Sequence, residues 1–125
     1  MKIKPLLPSQ REKKRYLVFE IISKNKVKPF SEITNAIWNS ILTFVGQTGA
    51  AKAGISVLQD KYDASRQLGI IRVSHKMLDA LKAALTLIRE INNEPVIVRS
   101  MGTSGILKKA EEKYYAKNAG AQYAI

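Results

Sequence analysis

The residues with the plainest chemistry in this chain are its cations, which fall into three clusters. Residues 11–15 read Arg-Glu-Lys-Lys-Arg, residues 72–76 read Arg-Val-Ser-His-Lys, and residues 99–109 carry Gly-Thr-Ser-Gly between an arginine and a Lys-Lys pair. Guanidinium groups can pair with two phosphate oxygens at once, and ammonium groups add mobile point charges. The clusters therefore predict contacts with the phosphates of a nucleic acid. The residues expected to make these contacts are Arg11, Lys13, Lys14, Arg15, Arg72, His75, Lys76, Arg99, Ser104, Lys108 and Lys109.

The net charge also favours a polyanionic partner. The 125 residues include 21 Lys and Arg against 10 Asp and Glu, which gives +11 with the single histidine neutral. Residues 1–30 carry +7, residues 31–98 carry +1 and residues 99–125 carry +3, so the excess lies at the two ends of the chain. A protein with such a charge could also bind an anionic membrane surface. No Lys- and Arg-rich amphipathic helix accompanies the charge, so nucleic acid is favoured.

Each cluster taken alone also has an interpretation without a ligand. The first could simply be a charged strand end, and His75 could cap a helix. Thr103 or Ser104 could do the same for the helix that follows. A solvated charged surface would explain isolated lysines, but it explains the uneven distribution less well.

Several kinds of site are excluded or disfavoured. The chain has no cysteine, which excludes disulfides, zinc fingers and thiol catalysis, and one histidine cannot build a His-rich metal site. No two carboxylates fall on adjacent strand ends as general acid–base catalysis requires, and Asp60 and Asp63 lack a calcium-loop ligand series. We therefore expect no catalytic residue, metal or cofactor in the protein. No apolar run approaches a membrane span and no signal peptide is indicated, so a cytoplasmic protein is expected.

The first half of the chain has clear periodicity. Residues 15–22 alternate as a strand with one buried face. A helix capped by Ser31 should follow, since Ile33, Ile37, Ile41 and Val45 recur every four residues, and Gly46 and Gly49 should end it. Trp38 is expected in the core. Residues 53–58 and 69–74 predict two strands joined by a loop.

The second half completes a familiar order of elements. A helix should run from Ser74 or His75 to Asn92-Asn93, followed by a strand over 96–101, a tight turn over 102–105 and a third helix over 106–117. We expect one domain over residues 1–125, with an extended basic arm at 1–10 and a frayed tail at 118–125. The order predicts an α+β, ferredoxin-like (RRM-like) βαββαβ sandwich with an extra C-terminal helix. The third strand has no aromatic residue, so bases are not expected to stack on the sheet.

Several motifs occur in a specific order along roughly residues 1–110. They are Pro-Leu-Leu-Pro at 5–8, Arg-Glu-Lys-Lys-Arg-Tyr at 11–16, Trp38, Gly-Ala-Ala-Lys-Ala-Gly-Ile at 49–55, Arg-Val-Ser-His-Lys at 72–76 and Val-Arg-Ser-Met-Gly-Thr-Ser-Gly-Ile-Leu-Lys-Lys-Ala at 98–110. Together they resemble the archaeal ribonuclease P protein component 2 family.

This resemblance implies a function and a set of partners. It implies a small subunit of the ribonucleoprotein that removes the 5′ leader from precursor tRNA, in which ribonuclease P RNA holds the Mg²⁺-dependent active site. It also implies pairing with the TIM-barrel-like protein component 3, as a heterotetramer, and self-association is an option. Leu107, Ala110 and Tyr114 on the third helix are expected to contact a protein partner, or else to cover the chain's own sheet. A ribosomal-type structural protein and a stand-alone ferredoxin-like hydrolase are the alternatives.

Overall fold

The central strand of the sheet, β1 (Lys14–Ser23), has a hydrogen-bonded neighbour on each side in the computed structural model, which describes residues 13–115. In chain order the other elements are α1 (Phe30–Ala53), β2 (Ser56–Val57), β3 (Leu68–Ser74), α2 (Leu78–Thr86), β4 (Glu90–Ile91), β5 (Glu94–Ser104) and α3 (Leu107–Ala110), which continues as a π-helical turn over Glu111–Tyr115. The strand order is β2-β3-β1-β5-β4, and every pairing is antiparallel. Without the short β4 this is the ferredoxin-like order, so the predicted fold class is confirmed.

The main core lies between the sheet and the two longer helices. Leu17, Phe19 and Ile21 alternate along β1 and all point to this side, and Ile33 and Ile37 of α1 pack against them. None of these five side chains is more than 3% exposed. Complete burial of one such side chain stabilises the fold by about 1.5–3 kcal/mol. The alternation and the four-residue spacing seen in the sequence therefore identify the buried faces correctly.

Helix α1 differs from its prediction at its start and in the second helical segment that follows Gly46. It begins at Phe30 after Pro29 with no side-chain cap, so the predicted cap at Ser31 is wrong. At Gly46 the backbone has φ 76° and ψ 178°, which is not helical, so the first helical segment ends there as predicted and a second segment, which the sequence pattern does not predict, continues to Ala53. Trp38 is 40% exposed and does not belong to the core, since it lies about 100° around the helix from Ile37, which faces the sheet.

The second half of the chain contains a hairpin that the sequence pattern does not reveal. Helix α2 ends at Thr86, and Asn92 and Asn93 have φ values of 51° and 66°. Two positive φ angles in a two-residue loop are typical of a type I′ turn, which here joins β4 to β5. The predicted tight turn at 102–105 is also wrong, because residues 102–104 pair with β1 after a register shift between Val18 and Phe19.

Two further observations concern the limits of the chain. The predicted arm at residues 1–10 and the predicted tail at residues 118–125 lie outside the described residues. Within residues 13–115, no helix is both long and apolar enough to span a membrane.

Gln67 provides a test of the packing at the far end of β1. The residue is 5% exposed, its Oε1 accepts from the Val27 amide at 2.8 Å, and its Nε2 donates to the Ile21 carbonyl and to the Ser23 hydroxyl, both at 3.0 Å. Gln67→Ala leaves buried backbone groups without partners, so we expect a loss of about 2–4 kcal/mol in the free energy of unfolding, measured in urea. The exposed Gln59→Ala is the control. Equal losses in the two variants would contradict this account.

Candidate nucleic-acid interface

One end of the sheet collects cations from distant parts of the sequence. Lys14, at the start of β1, pairs with Ser74 at the end of β3, and Tyr16 pairs with Ser104 at the end of β5. Because these strands are antiparallel, the three basic clusters meet at this end. We call this surface the basic end; of the predicted residues it contains Lys13, Lys14, Arg15, Arg72, His75, Lys76, Ser104, Lys108 and Lys109, together with Lys52, which the sequence does not single out.

Two of the predicted residues are not part of the basic end. Arg11 lies outside the described residues. Arg99 lies in the middle of β5, five residues before Ser104, and its Nε donates to Glu20 Oε1 at 2.8 Å. The cross-strand pairing of Glu20 with Arg99 explains this contact, since paired residues share a face of the sheet. Arg99 is therefore held in a structural ion pair rather than grouped with the other cations.

Two side chains of the first cluster lie close to glycines at the ends of helices. The Arg15 guanidinium lies 3.4 Å from the position that a Cβ atom would take at Gly105, just before α3. The Lys14 ammonium lies 3.0 Å from the corresponding position at Gly54, just after α1. Lys52 stands in the last turn of α1 and is exposed, so it joins the same surface. The sequence pattern misses Lys52 because it predicts no second helical segment after Gly46 and Gly49.

The first and second clusters are joined by hydrogen bonds to one oxygen. The carbonyl of Lys13 accepts a bond from the backbone amide of His75 at 2.9 Å. It also lies 3.2 Å from Nδ1 of the His75 ring. Both contacts lie just beyond the last paired residues of β1 and β3, so they extend the pairing of the two strands by one residue.

The positive charge of the basic end is not neutralised within the described chain. Its lysines, Lys13, Lys14, Lys52, Lys76, Lys108 and Lys109, are all exposed. The salt bridges of residues 13–115 lie elsewhere; they are Lys61–Glu111, Arg66–Asp63 and Arg99–Glu20. Asp79, in the first turn of α2, and the exposed Glu112, four residues after Lys108, are acidic residues close to this end. Clustered cations without ion pairs raise the local concentration of a polyanion such as RNA.

The part of the open face around Val18 and Ile70 is covered by α3 and the turn that continues it, while the cross-strand pair Ile22 and Ile97 further along the same face is 46% and 63% exposed. Val18, Ile70 and Ala110 are fully buried in the covered part, and Tyr16, Leu58, Met101, Leu107, Tyr114 and Tyr115 pack around them. Leu107, Ala110 and Tyr114 therefore cover the chain's own sheet, which is the second of the two expected arrangements. Their contact with a protein partner stays a prediction.

A network from the loop between β2 and β3 holds the end of this C-terminal segment. Lys61 pairs with Glu111 at 3.0 Å, and the Tyr115 hydroxyl donates to the Lys61 carbonyl at 2.6 Å. Arg66 donates to the Tyr115 carbonyl, and its guanidinium lies 5.6 Å from the centre of the Tyr115 ring. Asp63 in turn accepts from Arg66 Nε at 2.7 Å. The sequence gives no signal for the contacts of Tyr115, because they depend on where α3 packs.

The pKa values of Asp63 and Tyr115, two members of this network, are shifted from their ordinary values. The Asp63 carboxylate accepts hydrogen bonds from Ser65 and from Arg66, and these bonds lower the pKa of Asp63 from 3.8 to about 2. Burial raises the pKa of Tyr115 above its ordinary value of 10.0, so its hydroxyl stays protonated and donates to Lys61. Within residues 13–115, no group of three or more His, Cys, Asp or Glu side chains is arranged to hold a metal ion.

Comparisons with known proteins agree on one family. The model of the Rpp14/Pop5 family matches residues 15–115. Ribonuclease P protein component 2 of Thermococcus kodakarensis is 38% identical over 116 residues, which cover 93% of this chain and 94% of that protein. The protein of the same name from Pyrococcus horikoshii is 36% identical with the same coverage, and that from Methanocaldococcus jannaschii is 37% identical over 90% of this chain and 80% of its own length.

A solved structure supports the fold independently. A chain in the cryo-EM structure of yeast ribonuclease MRP superimposes with a TM-score of 0.59 over 90% of this chain and 92% of that one. The two sequences are only 14% identical, so this likeness concerns the fold alone.

The close approach of α3 to the sheet can be tested at Gly102. A Cβ atom there would lie 1.9 Å from the Tyr114 hydroxyl oxygen and 2.2 Å from its Cζ. We expect Gly102→Ala to cost about 1–3 kcal/mol of unfolding free energy, because the ring must move. In a double-mutant cycle, Gly102→Ala should cost much less when Tyr114 is already alanine. Costs that simply add would show that the two positions are not in contact.

The Asp63 network predicts a defined pH dependence. Because the folded-state pKa of Asp63 is lower than its unfolded value, the ionised form stabilises the fold above about pH 4, and this contribution is lost as the pH falls toward 2. Asp63→Asn should therefore cost about 1 kcal/mol at neutral pH, a modest value because the side chain is 27% exposed. Thermal unfolding followed by circular dichroism should show the gap from wild type closing between about pH 4 and 2. Asp60→Asn, in the same loop, should show no such gap; a constant gap for Asp63→Asn would refute the assignment.

Proposed function

The chain belongs to the Rpp14/Pop5 family, and from this we propose that it is a protein subunit of ribonuclease P which binds the RNA of that enzyme. The observation that carries the RNA-binding role is the basic end, where three clusters of cations meet without salt bridges among the described residues. The names of the archaeal relatives and their coverage of nearly the whole chain support the assignment to this enzyme.

In this proposal the chemistry belongs to the RNA. The holoenzyme removes the 5′ leader from precursor tRNA as an endonuclease, the RNA holds the Mg²⁺ ions, and the protein supports the folded RNA. The engagement of Asp63, Glu111 and Glu20 in salt bridges favours structural roles for these carboxylates. A cytoplasmic location is part of the same proposal.

The proposed contact is with the phosphate backbone rather than with stacked bases. Tyr16, Tyr114 and Tyr115 lie on the open face, but they are packed around Val18 and Ile70 beneath and beside α3. Their rings are engaged in packing, while the lysines of the basic end are exposed. Phosphate contacts from lysine and arginine position a protein on RNA without reading the sequence, so shape and charge would determine where it binds.

The protein partner in this proposal is ribonuclease P protein component 3, in a heterotetramer that can include self-association of this chain. Large apolar side chains are exposed on two surfaces, the cross-strand pair Ile22 and Ile97 on the sheet and a set on the helical side, where we place the protein contacts. Trp38 and Phe44 of α1 and Leu87 after α2 are 40%, 48% and 53% exposed. Large exposed apolar side chains of this kind favour a protein contact.

Replacing three cations of the basic end tests the RNA-binding role. Lys13→Ala, Lys14→Ala and Arg15→Ala are combined, and binding to the ribonuclease P RNA of Thermococcus kodakarensis is measured between about 50 and 200 mM salt. Each phosphate contact that is lost should flatten the plot of log affinity against log salt by about 0.7–0.9. We therefore expect a slope about 2–3 smaller than that of the wild type.

A matched control removes the same charge from the opposite end of the sheet. Lys24→Ala, Lys28→Ala and Arg89→Ala combine three exposed positions that lie beyond the end of β1 or before β4. This variant should keep the wild-type slope. An unchanged slope in the first variant, or equal changes in both, would contradict the role of the basic end. Cleavage of precursor tRNA by the protein without any RNA subunit would contradict the non-catalytic role.

A further inference from the structure

His75 makes two contacts to a single backbone oxygen at the start of β1. The last pair of the β1–β3 ladder is Lys14 with Ser74, and the next residues are joined through the Lys13 carbonyl. That oxygen accepts from the His75 amide at 2.9 Å and lies 3.2 Å from His75 Nδ1. The backbone contact alone would continue the ladder. The ring contact adds a side-chain contact to the same oxygen.

The ring contact depends on where the His75 ring carries its proton. A carbonyl oxygen only accepts hydrogen bonds, so this contact is a hydrogen bond when Nδ1 carries a proton. With that proton in place, in the neutral or the protonated ring, Nδ1 is committed to the Lys13 backbone. This differs from the sequence-based expectation, in which His75 contacts phosphate itself.

We infer that His75 is a positioning residue, which fixes the backbone at Lys13, the cation of the first cluster that lies just outside the β1–β3 ladder, and so holds it in place for RNA. The inference rests on the proposed function. Lys13 lies outside the strand, so its orientation depends on these contacts rather than on pairing with β5. Groups that are already ordered lose less conformational entropy on binding, which increases affinity without any new contact to the ligand.

Two substitutions separate positioning from direct contact. In His75→Asn the amide nitrogen takes a place close to that of Nδ1 and can still donate to the Lys13 carbonyl. In His75→Gln the amide lies further out, near the place of Nε2, where it could contact RNA but could not make the Lys13 bond. We expect His75→Asn to bind the ribonuclease P RNA of Thermococcus kodakarensis within about two-fold of wild type, and His75→Gln and His75→Ala about five-fold more weakly.

A double-mutant cycle provides the readout that a general loss of stability would not give. His75→Ala is measured alone and in the background Lys13→Ala. If His75 acts through Lys13, its removal should have almost no further effect on RNA affinity in that background. Melting temperatures are recorded for all variants, and affinities are measured well below the lowest of them, so that only folded protein is compared.

The outcomes are distinct. Retention of affinity by His75→Gln with loss by His75→Asn, or effects that add in the double-mutant cycle, would show that His75 contacts RNA directly and would overturn the inference. Equal affinities for wild type, His75→Asn, His75→Gln and His75→Ala would also overturn it. Absence of RNA binding by the wild-type protein would instead contradict the proposed function.

Discussion

The antiparallel pairing of β1 with β3 along one edge and with β5 along the other organises this structure. It places the start of β1 beside the ends of β3 and β5, and so brings together cations from three distant parts of the chain. Like charges held close together repel one another and reduce the stability of the free protein. A bound polyanion removes this cost. The same pairing that concentrates the charge therefore favours a complex with RNA over the isolated chain.

The packing of α3 on the open face has two consequences for the same surface. It buries Val18 and Ile70, which would otherwise leave an apolar face exposed, and it occupies the area on which a base could stack. It also starts immediately after β5, so Lys108 and Lys109 stay at the basic end. The packing of α3 thus covers the part of the sheet face around Val18 and Ile70, and it adds two lysines at the edge of that face. The contacts from Lys61, Arg66 and Tyr115 hold it there.

The parts of the structure that could be predicted from the sequence are those fixed by short-range periodicity. The alternation in β1 and the four-residue spacing in α1 identify the core, and residue types alone identify most cations of the basic end. Predictions failed where tertiary contacts decided the backbone conformation. A second helical segment follows Gly46, and Asn92 and Asn93 form a hairpin turn instead of a helix terminus. The ion pair of Arg99 with Glu20 depends on a strand register that no local pattern specifies.

We propose that RNA binds the end of the sheet and not its open face. The most direct measurement is a titration of the isotopically labelled chain with a short RNA duplex, followed through the backbone amide resonances in NMR spectra. The account predicts that the largest shifts fall at residues 13–15, 72–76 and 104–109, while the amides of Val18 and Ile70 change little. Largest shifts at the centre of the open face or along α1, with the basic end unchanged, would contradict it.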